Sequence, residues 1–294
     1  MQHGSLRQVF LSGFNKTGNV LEDNENTGDP VAFFQNKIRL FFNKNYRIFP
    51  WRETSKSYNI LVSEIMLQQT QTFRVMGKYE AFIDAFPDFA ALAGAQLNTV
   101  LSLWQGLGYN RRALSLKKTA EIVVSNFHGT LPDSYEELIS LPGIGKATAG
   151  SILAFAFNKP IPFIETNIRR VYIHFFFNDR EGITDSEILP LIEQTLDREN
   201  PRQWYYALMD YGAMLKKSVI NPNRKSAHYT RQSRFEGSDR QIRGMILKAL
   251  IASPMDEKAL IETLAMDSSR VKKILVALEK EGFIVRERNS LRIA

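Results

Sequence analysis

Leu141-Pro142-Gly143-Ile144-Gly145 joins two stretches of helical period, Ser134 to Ser140 before it and Lys146 to Phe157 after it. Two glycines in a tight turn let the backbone come close to a ligand. The N–H groups that open the second helix then point outward, where they suit a phosphate. Two other readings compete. A nucleotide-binding phosphate loop fails on spacing, because its first glycine would fall where Ser140 stands. An ordinary helix–helix turn would account for the glycines alone. Leu141-Pro142 before them, and Lys146 with Thr148-Ala149-Gly150 after them, favour a hairpin that grips a polyanion's backbone without reading sequence.

Outward from the hairpin the chain reads as helix after helix. Val31 to Asn43, Tyr58 to Thr70, Val75 to Phe86, Asn98 to Leu103 and Arg111 to Asn126 precede it. Asn167 to Phe177, Asp185 to Leu196 and Pro201 to Leu215 follow, with Pro and Gly between the segments. No alternating run long enough for a sheet intervenes, so the class is all-α. Residues 1–29 show no period and read as a flexible leader. From Tyr211 to Phe235 there is no acidic residue, whereas Lys216, Lys217, Arg224, Lys225, Arg231 and Arg234 are basic. That segment reads as a cationic, phosphate-contacting loop, with a solvated linker as the alternative. Residues 238–294 form a separate module. Three helical stretches (Asp239 to Ala252, Asp256 to Ala265, Asp267 to Glu281) precede a hairpin of Gly282 to Arg286 with Ser290 to Ile293, the pattern of a winged helix-turn-helix. Its third helix carries Ser268, Ser269, Arg270, Lys272 and Lys273, suited to phosphates or base edges, although such modules also serve protein contacts.

The chain of 294 residues, 44% of them hydrophobic and 23% charged, has the size of about two domains with a real core. It has no cysteine, which excludes disulfides, cysteine-held zinc or iron–sulfur clusters and a thiol nucleophile. The net charge of +7 favours a polyanionic partner without proving one. No segment reaches the ~18 apolar residues of a membrane span. Met1 to Asp29 lacks the apolar run of a signal peptide, which places the chain in the cytoplasm. His3, His128, His174 and His228 have no metal-ligand spacing, so no metal is expected. Trp104 and Phe175-Phe176-Phe177 read as core.

Two carboxylates stand out. Glu64 lies within Ile60-Leu61-Val62-Ser63-Glu64-Ile65-Met66-Leu67, and apolar surroundings disfavour its anion, as a general acid at neutral pH requires. At helical spacing Gln68 is one turn on and Gln71 two, so one face would carry an acid and amides. A buried, satisfied structural Glu is the plainer alternative. Glu165 follows the rigid Pro160-Ile161-Pro162-Phe163-Ile164 approach and opens the helix from Asn167. It could simply favour that helix's dipole. It could instead face a developing positive charge, and two carboxylates across a cleft are the arrangement for breaking a glycosidic bond.

Glu64 to Gln71 (Glu-Ile-Met-Leu-Gln-Gln-Thr-Gln), Trp104 to Tyr109 (Trp-Gln-Gly-Leu-Gly-Tyr), the Leu141 to Gly145 hairpin with Thr148-Ala149-Gly150, and Met209 to Met214 (Met-Asp-Tyr-Gly-Ala-Met) occur in that order. With Pro50-Trp51-Arg52 they resemble the MutY-type adenine DNA glycosylases of the helix-hairpin-helix superfamily, over roughly Val31 to Leu215. The resemblance implies a two-lobed, all-α glycosylase fold over residues 30–235, with a six-helix lobe at about 57–163 and a second lobe from 30–56 and 164–235. It implies that double-stranded DNA is bent over the protein with the target base flipped out. Glu64 would protonate the departing adenine and later activate water. Gln69 and Tyr109 would wedge into the duplex, Gly143 and Gly145 would hold a phosphate, and Gln68, Lys146, Thr148 and Arg52 would complete the DNA contact. Ala147 stands where lyase members carry a Schiff-base lysine, which implies a monofunctional enzyme that leaves an abasic site.

The chain departs from the family in three places. Glu165 replaces an Asp, and Thr166 the Gly that usually follows it. The four cysteines of the usual iron–sulfur cluster are missing, and Lys216 to Arg234 falls where the cluster loop would be. The usual C-terminal domain, which reads the base opposite the adenine, is replaced by the short module. The expectation is therefore a clusterless, cofactor-free, monomeric adenine glycosylase acting on a mispair in base excision repair. A mismatch thymine, uracil or modified-base glycosylase, and a non-catalytic DNA-binding protein, stand as alternatives.

Overall fold

A computed structural model describes residues 29–231, 233–288 and 290–294. The leader expected over residues 1–29 lies outside them, apart from Asp29. The chain divides into two compact units, each made of two segments: residues up to Phe49 with Lys146–Arg231, and Pro50–Gly145 with Gln232–Ala294.

In the first unit, helix α1 (Pro30–Asn45) is capped by Asp29, whose carboxylate accepts from Val31 N, and Pro30 stands at its first turn, where no N–H is missed. Its buried residues Phe34 and Ile38 lie one turn apart. The unit also holds α8 (Lys146–Phe157), α9 (Thr166–Phe176), α10 (Asp185–Thr195) and α11 (Pro201–Ser218). Phe34 meets Phe175 and Trp204 edge-on at 5.1 and 5.8 Å and tilts against Tyr172 and Phe176. Burying aromatic side chains of this kind is worth roughly 1.5–3 kcal/mol each. Asp210 on α11 is buried and takes Arg47 Nε on Oδ1 at 2.6 Å. Gly212 lets α11 press against the start of α9, where a Cβ would stand 2.4 Å from Asn167 O.

The second unit is built on α2 (Ser57–Leu67), which buries seven of its eleven residues, Tyr58, Ile60, Leu61, Val62, Ser63, Ile65 and Met66. A helix apolar on most sides belongs inside. Around it lie α3 (Thr72–Ala85), α4 (Phe89–Gly94), α5 (Leu97–Trp104), α6 (Arg111–Asn126) and α7 (Tyr135–Ser140). The C-terminal segment adds α12 (Asp239–Ala252), β1 (Met255–Asp256), α13 (Glu257–Leu264), α14 (Ser268–Glu281), β2 (Ile284–Glu287) and β3 (Ser290–Ile293). The strands form an antiparallel sheet in the order β1-β3-β2, with Met255 opposite Leu291 and Val285 opposite Arg292. Leu250, Leu275, Leu278, Phe283 and Leu291 form the core of this segment.

The structure departs from the sequence reading in four respects. The helix expected over Tyr58 to Thr70 stops at Leu67, because the terminal carbonyls of Ile65 and Met66 are taken by the guanidinium of Arg112. Gln71 is therefore not on one helical face with Glu64. The cationic stretch begins as helix, not loop: Lys216 and Lys217 are the last turn of α11, and Pro222–Lys225 is a 3-10 turn pinned by Ile183 N to Lys225 O and Ala227 N to Ile183 O. Residues 146–163 cluster with the first unit rather than with a lobe ending at 163. Gly150 there receives the Phe163 ring, and Phe155 stacks on Tyr206 at 4.5 Å. Residues 238–294 cluster with the second unit rather than standing apart.

Candidate active site

Glu64 is on α2, one turn before the helix ends, and is half-buried while Ser63, Ile65 and Met66 beside it are buried. Immediately after the helix, Gln68 Nε2 donates to Gly143 O at 3.1 Å, tying the end of the Glu64 helix to the hairpin. Gln69 is exposed and takes a left-handed backbone, φ 54°. Tyr109 does the same at φ 48°. Each such conformation costs a non-glycine residue about 1–2 kcal/mol and persists only where the surroundings hold it.

Arg112 is what holds both. Its Nη1 donates to Ile65 O (2.8 Å) and Met66 O (2.7 Å), and its Nη2 to Thr70 Oγ1 (2.8 Å), Leu107 O (3.2 Å) and Gly108 O (3.1 Å). One guanidinium thus closes the end of α2 and fixes the two loops from which Gln69 and Tyr109 project. It is buried, and burial pushes it down to about 10. None of these five partners is a carboxylate. The guanidinium also lies 5.5 Å from the ring centroids of Trp104 and Tyr109. Nothing in the sequence marks Arg112, because carbonyl partners leave no pattern of paired side chains.

In the hairpin, Ile144 is buried while Gly143 and Gly145 are exposed. Gly143 has φ 79°, and a Cβ there would stand 2.8 Å from Ser115 Cβ, so both its conformation and its space call for glycine. Thr119 Oγ1 on α6 donates to Pro142 O at 2.9 Å and fixes the turn from behind. Arg52, half-buried in a 3-10 turn at Pro50–Arg52, belongs to the same unit. Of the residues singled out, Glu64, Gln68, Gln69, Tyr109, Gly143, Gly145 and Arg52 therefore share the second unit, whereas Lys146, Thr148 and Glu165 belong to the first.

Glu165 caps α9. Its Oε1 accepts from Asn167 N (2.6 Å) and Ile168 N (2.8 Å), and its Oε2 from Asn167 Nδ2 (3.2 Å). These are the bonds of an N-cap carboxylate to the second and third residues of its helix. The cap is the geometry that the helix-dipole reading describes, and it is compatible with the other reading, in which the same carboxylate faces a developing positive charge. Burial pushes the Glu165 carboxyl above its usual range, against the pull of the two N–H groups and of Arg170 and Arg169. Asn167 is itself anchored, since Arg170 Nη1 donates to Asn167 Oδ1 (2.7 Å) and to Gly212 O (2.6 Å), and Arg170 Nε donates to Asn221 Oδ1 (2.9 Å). The i, i+3 spacing of Asn167 and Arg170 was a legible signal that the sequence reading did not use.

Among the described residues no group of three or more His, Cys, Asp or Glu is placed to hold a metal ion, and no helix is long and apolar enough to cross a membrane. The second unit thus holds the half-buried Glu64 carboxyl group, the exposed Gln69 and the half-buried Tyr109 in left-handed backbone, and a hairpin whose two glycines are exposed.

Residues 62–196 match the family described as HhH-GPD superfamily base excision DNA repair protein. The adenine DNA glycosylase of Mycolicibacterium smegmatis is 33% identical over 221 residues, covering 69% of this chain and 75% of that one. That of Buchnera aphidicola subsp. Baizongia pistaciae is 38% identical over 189 residues, covering 63% of this chain and 53% of that one, so the chain spans about half the length of that relative. Among solved structures, a thermostable thymine-DNA glycosylase superposes with a TM-score of 0.58 at 25% identity, covering 66% of this chain and 91% of that one.

Proposed function

The chain belongs to the adenine DNA glycosylase family of HhH-GPD superfamily base excision DNA repair proteins, and on that premise we propose that it is a monofunctional DNA glycosylase that removes a mispaired adenine. The observation that carries the reading is the single network in the second unit: the helix bearing Glu64 is tied to the hairpin by Gln68 and to the Gln69 and Tyr109 loops by Arg112. An acid, two wedges and a backbone grip held in one rigid frame are the parts that act on a base drawn out of a duplex.

In this reading the hairpin, with Arg52, Lys146 and Thr148, takes phosphates of double-stranded DNA, and Gln69 and Tyr109 enter the stack. As the C1′–N bond breaks, its electron pair leaves with the adenine and Glu64 delivers the proton that neutralises it. The sugar becomes an oxocarbenium-like cation, which the anion of Glu165 stabilises. The Glu64 carboxylate then takes a proton from the water that attacks C1′, and an abasic site results. No lysine stands at position 147 to trap the sugar as a Schiff base; the residue is Ala147. The chemistry needs no metal or cluster. A monomer in the cytoplasm completes the proposal.

The likeness to a thymine-DNA glycosylase favours a second reading, in which the same frame removes a pyrimidine. A single-turnover strand-cleavage assay with alkali work-up separates the two. Its duplexes carry A opposite 8-oxoguanine, A opposite G, T opposite G and U opposite G. Wild type is expected to release adenine, and Glu64→Gln to lose on the order of 10²–10⁴ in rate with binding retained. Release of thymine or uracil would transfer the proposal to the pyrimidine reading. Indifference to Glu64→Gln would point to a binding protein.

A further inference from the structure

Tyr109 is held from two sides. One is Arg112, from inside the helical frame. The other is Arg240, which comes from the C-terminal segment some 130 residues away in sequence: its Nη1 donates to Tyr109 Oη at 2.9 Å (131 positions apart), and its guanidinium lies 5.8 Å from the Tyr109 ring centroid. Arg240 is fixed in turn, its Nη2 donating to Ser233 O (2.7 Å) and Ser233 Oγ (3.2 Å). None of these partners is a carboxylate, so the positive charge is aimed at the ring without being neutralised there.

The helix that carries Arg240 is docked next to Tyr109 by a second contact. Arg243, three residues on and on the same face of α12, donates through Nη1 (3.0 Å) and Nη2 (2.7 Å) to Glu281. Glu281 also accepts from Arg111 Nε (2.7 Å) and Nη2 (2.6 Å), and Arg111 is two residues from Tyr109. The carboxylate is held down to about 2 by the two guanidiniums. The C-terminal module therefore places one arginine against the hydroxyl of Tyr109 and clamps the start of α6 beside it. A purely architectural contact would need the clamp but not the bond to an aromatic residue in a left-handed, half-buried loop.

We propose that Arg240 is a positioning residue that presets Tyr109 for entry into the duplex, so that the C-terminal module is a working part of base extrusion. The inference rests on the proposed role of Tyr109 as a wedge. Free of its partners, a tyrosine at φ 48° would relax toward the ordinary regions of backbone space and swing its ring off the line of insertion.

The test uses the full chain, as wild type, Arg240→Ala, Arg240→Lys, Tyr109→Phe and the Arg240→Ala/Tyr109→Phe double variant. Two signals are read: the fluorescence rise of a duplex carrying 2-aminopurine at the target position, which reports unstacking without bond cleavage, and the single-turnover excision rate. Arg240→Ala is expected to lower both about tenfold, as loss of one charge-assisted hydrogen bond and one cation–π contact would. Affinity for an unmodified duplex should not change. Arg240→Lys should recover part of the loss, and the double variant should be no worse than Arg240→Ala, because both remove the same bond. Additive losses would overturn the inference. So would uniform weakening on every duplex with a shallower salt dependence, the mark of a phosphate contact. So would a loss that follows the melting temperature alone. A wild type that excises nothing would count against the proposed activity only, since the 2-aminopurine signal still decides the role of Arg240.

Discussion

Gly212→Ala is expected to loosen the frame that holds Glu165. The added Cβ would stand 2.4 Å from Asn167 O, 2.7 Å from Asn167 Cβ and 2.8 Å from Asn167 C, whereas ordinary contact begins at 3.4 Å. The start of α9 must therefore retreat by about 1 Å (3.4 − 2.4). The opposing atoms belong to the backbone or sit next to it, so no side-chain rotation relieves the clash. Arg170, which bonds Gly212 O at 2.6 Å and Asn167 Oδ1 at 2.7 Å, is stretched by the same movement. Overpacking of this size costs about 1–3 kcal/mol, or roughly 2–4 °C of melting temperature per kcal/mol. Glu165 accepts from Asn167 N and moves with it, and in the proposed mechanism a 1 Å misplacement of its charge would cost on the order of 10² in rate. The opposing effect is helix propensity, which favours Ala over Gly by about 1 kcal/mol. Gly77→Ala on α3, with nothing within 4 Å of the new Cβ, isolates that effect and should be neutral or stabilising. Thermal unfolding and single-turnover excision are measured on both variants. A Gly212→Ala protein as stable as Gly77→Ala, with wild-type excision, would refute the close-contact reasoning.

Arg112→Met keeps the bulk of the buried stem and removes five hydrogen bonds; Ile65 O and Met66 O lose the guanidinium that ends the helix, whereas Leu107 O keeps Thr70 Oγ1 and Gly108 O keeps Trp104 Nε1. The expected loss in urea unfolding is about 3–5 kcal/mol, less whatever is regained by not burying a charge, and a loss below about 1 kcal/mol would show that the hub is dispensable. Glu281 gives a pH dependence. Its carboxyl sits at about 2 in the folded chain against an ordinary 4.5, so the clamp is fully present above about 4.5 and is lost as pH falls from there toward 2. Glu281→Gln should therefore be less stable than wild type at pH 7, with the gap closing between about pH 4.5 and 2; a gap that stays constant with pH would refute the ion-pair account.

Helix positions were readable where the period ran for three turns or more. Arg111–Asn126, Lys146–Phe157 and Asp239–Ala252 carry the bounds expected of them. Trp104 and Phe175 to Phe177 are buried, as their apolar setting indicated. Phe89–Gly94 was missed, although Asp88, whose carboxylate accepts from Ala91 N, was a usable start signal. The false extension of α2 has the opposite cause. Its pattern continues to Thr70, but an arginine 42 positions away from Thr70 supplies the donors that end the helix. At the candidate site, residue types were legible and connections were not. The bond from Gln68 to Gly143 and the contact of Arg240 with Tyr109 join residues 75 and 131 positions apart, and neither leaves a local trace.

Helix α1 and the residues just after it meet their partners very late. Gln35 donates to Thr195 O, Arg39 to Asp197 and Arg47 to Asp210, over separations of 160, 158 and 163 residues. At a synthesis rate of about 5–20 residues per second, those partners leave the ribosome roughly 8–30 s after the helix does. During that interval Phe34 and Ile38 have no native surface to cover them, and both units stay open, since each is finished only by a segment from later in the chain. Closing such long loops carries an entropic cost that local helix formation does not repay, so folding of the nascent chain is slow and late. The apolar face of α1 thus stays uncovered on the growing chain until the segment from Lys146 to Arg231 has emerged.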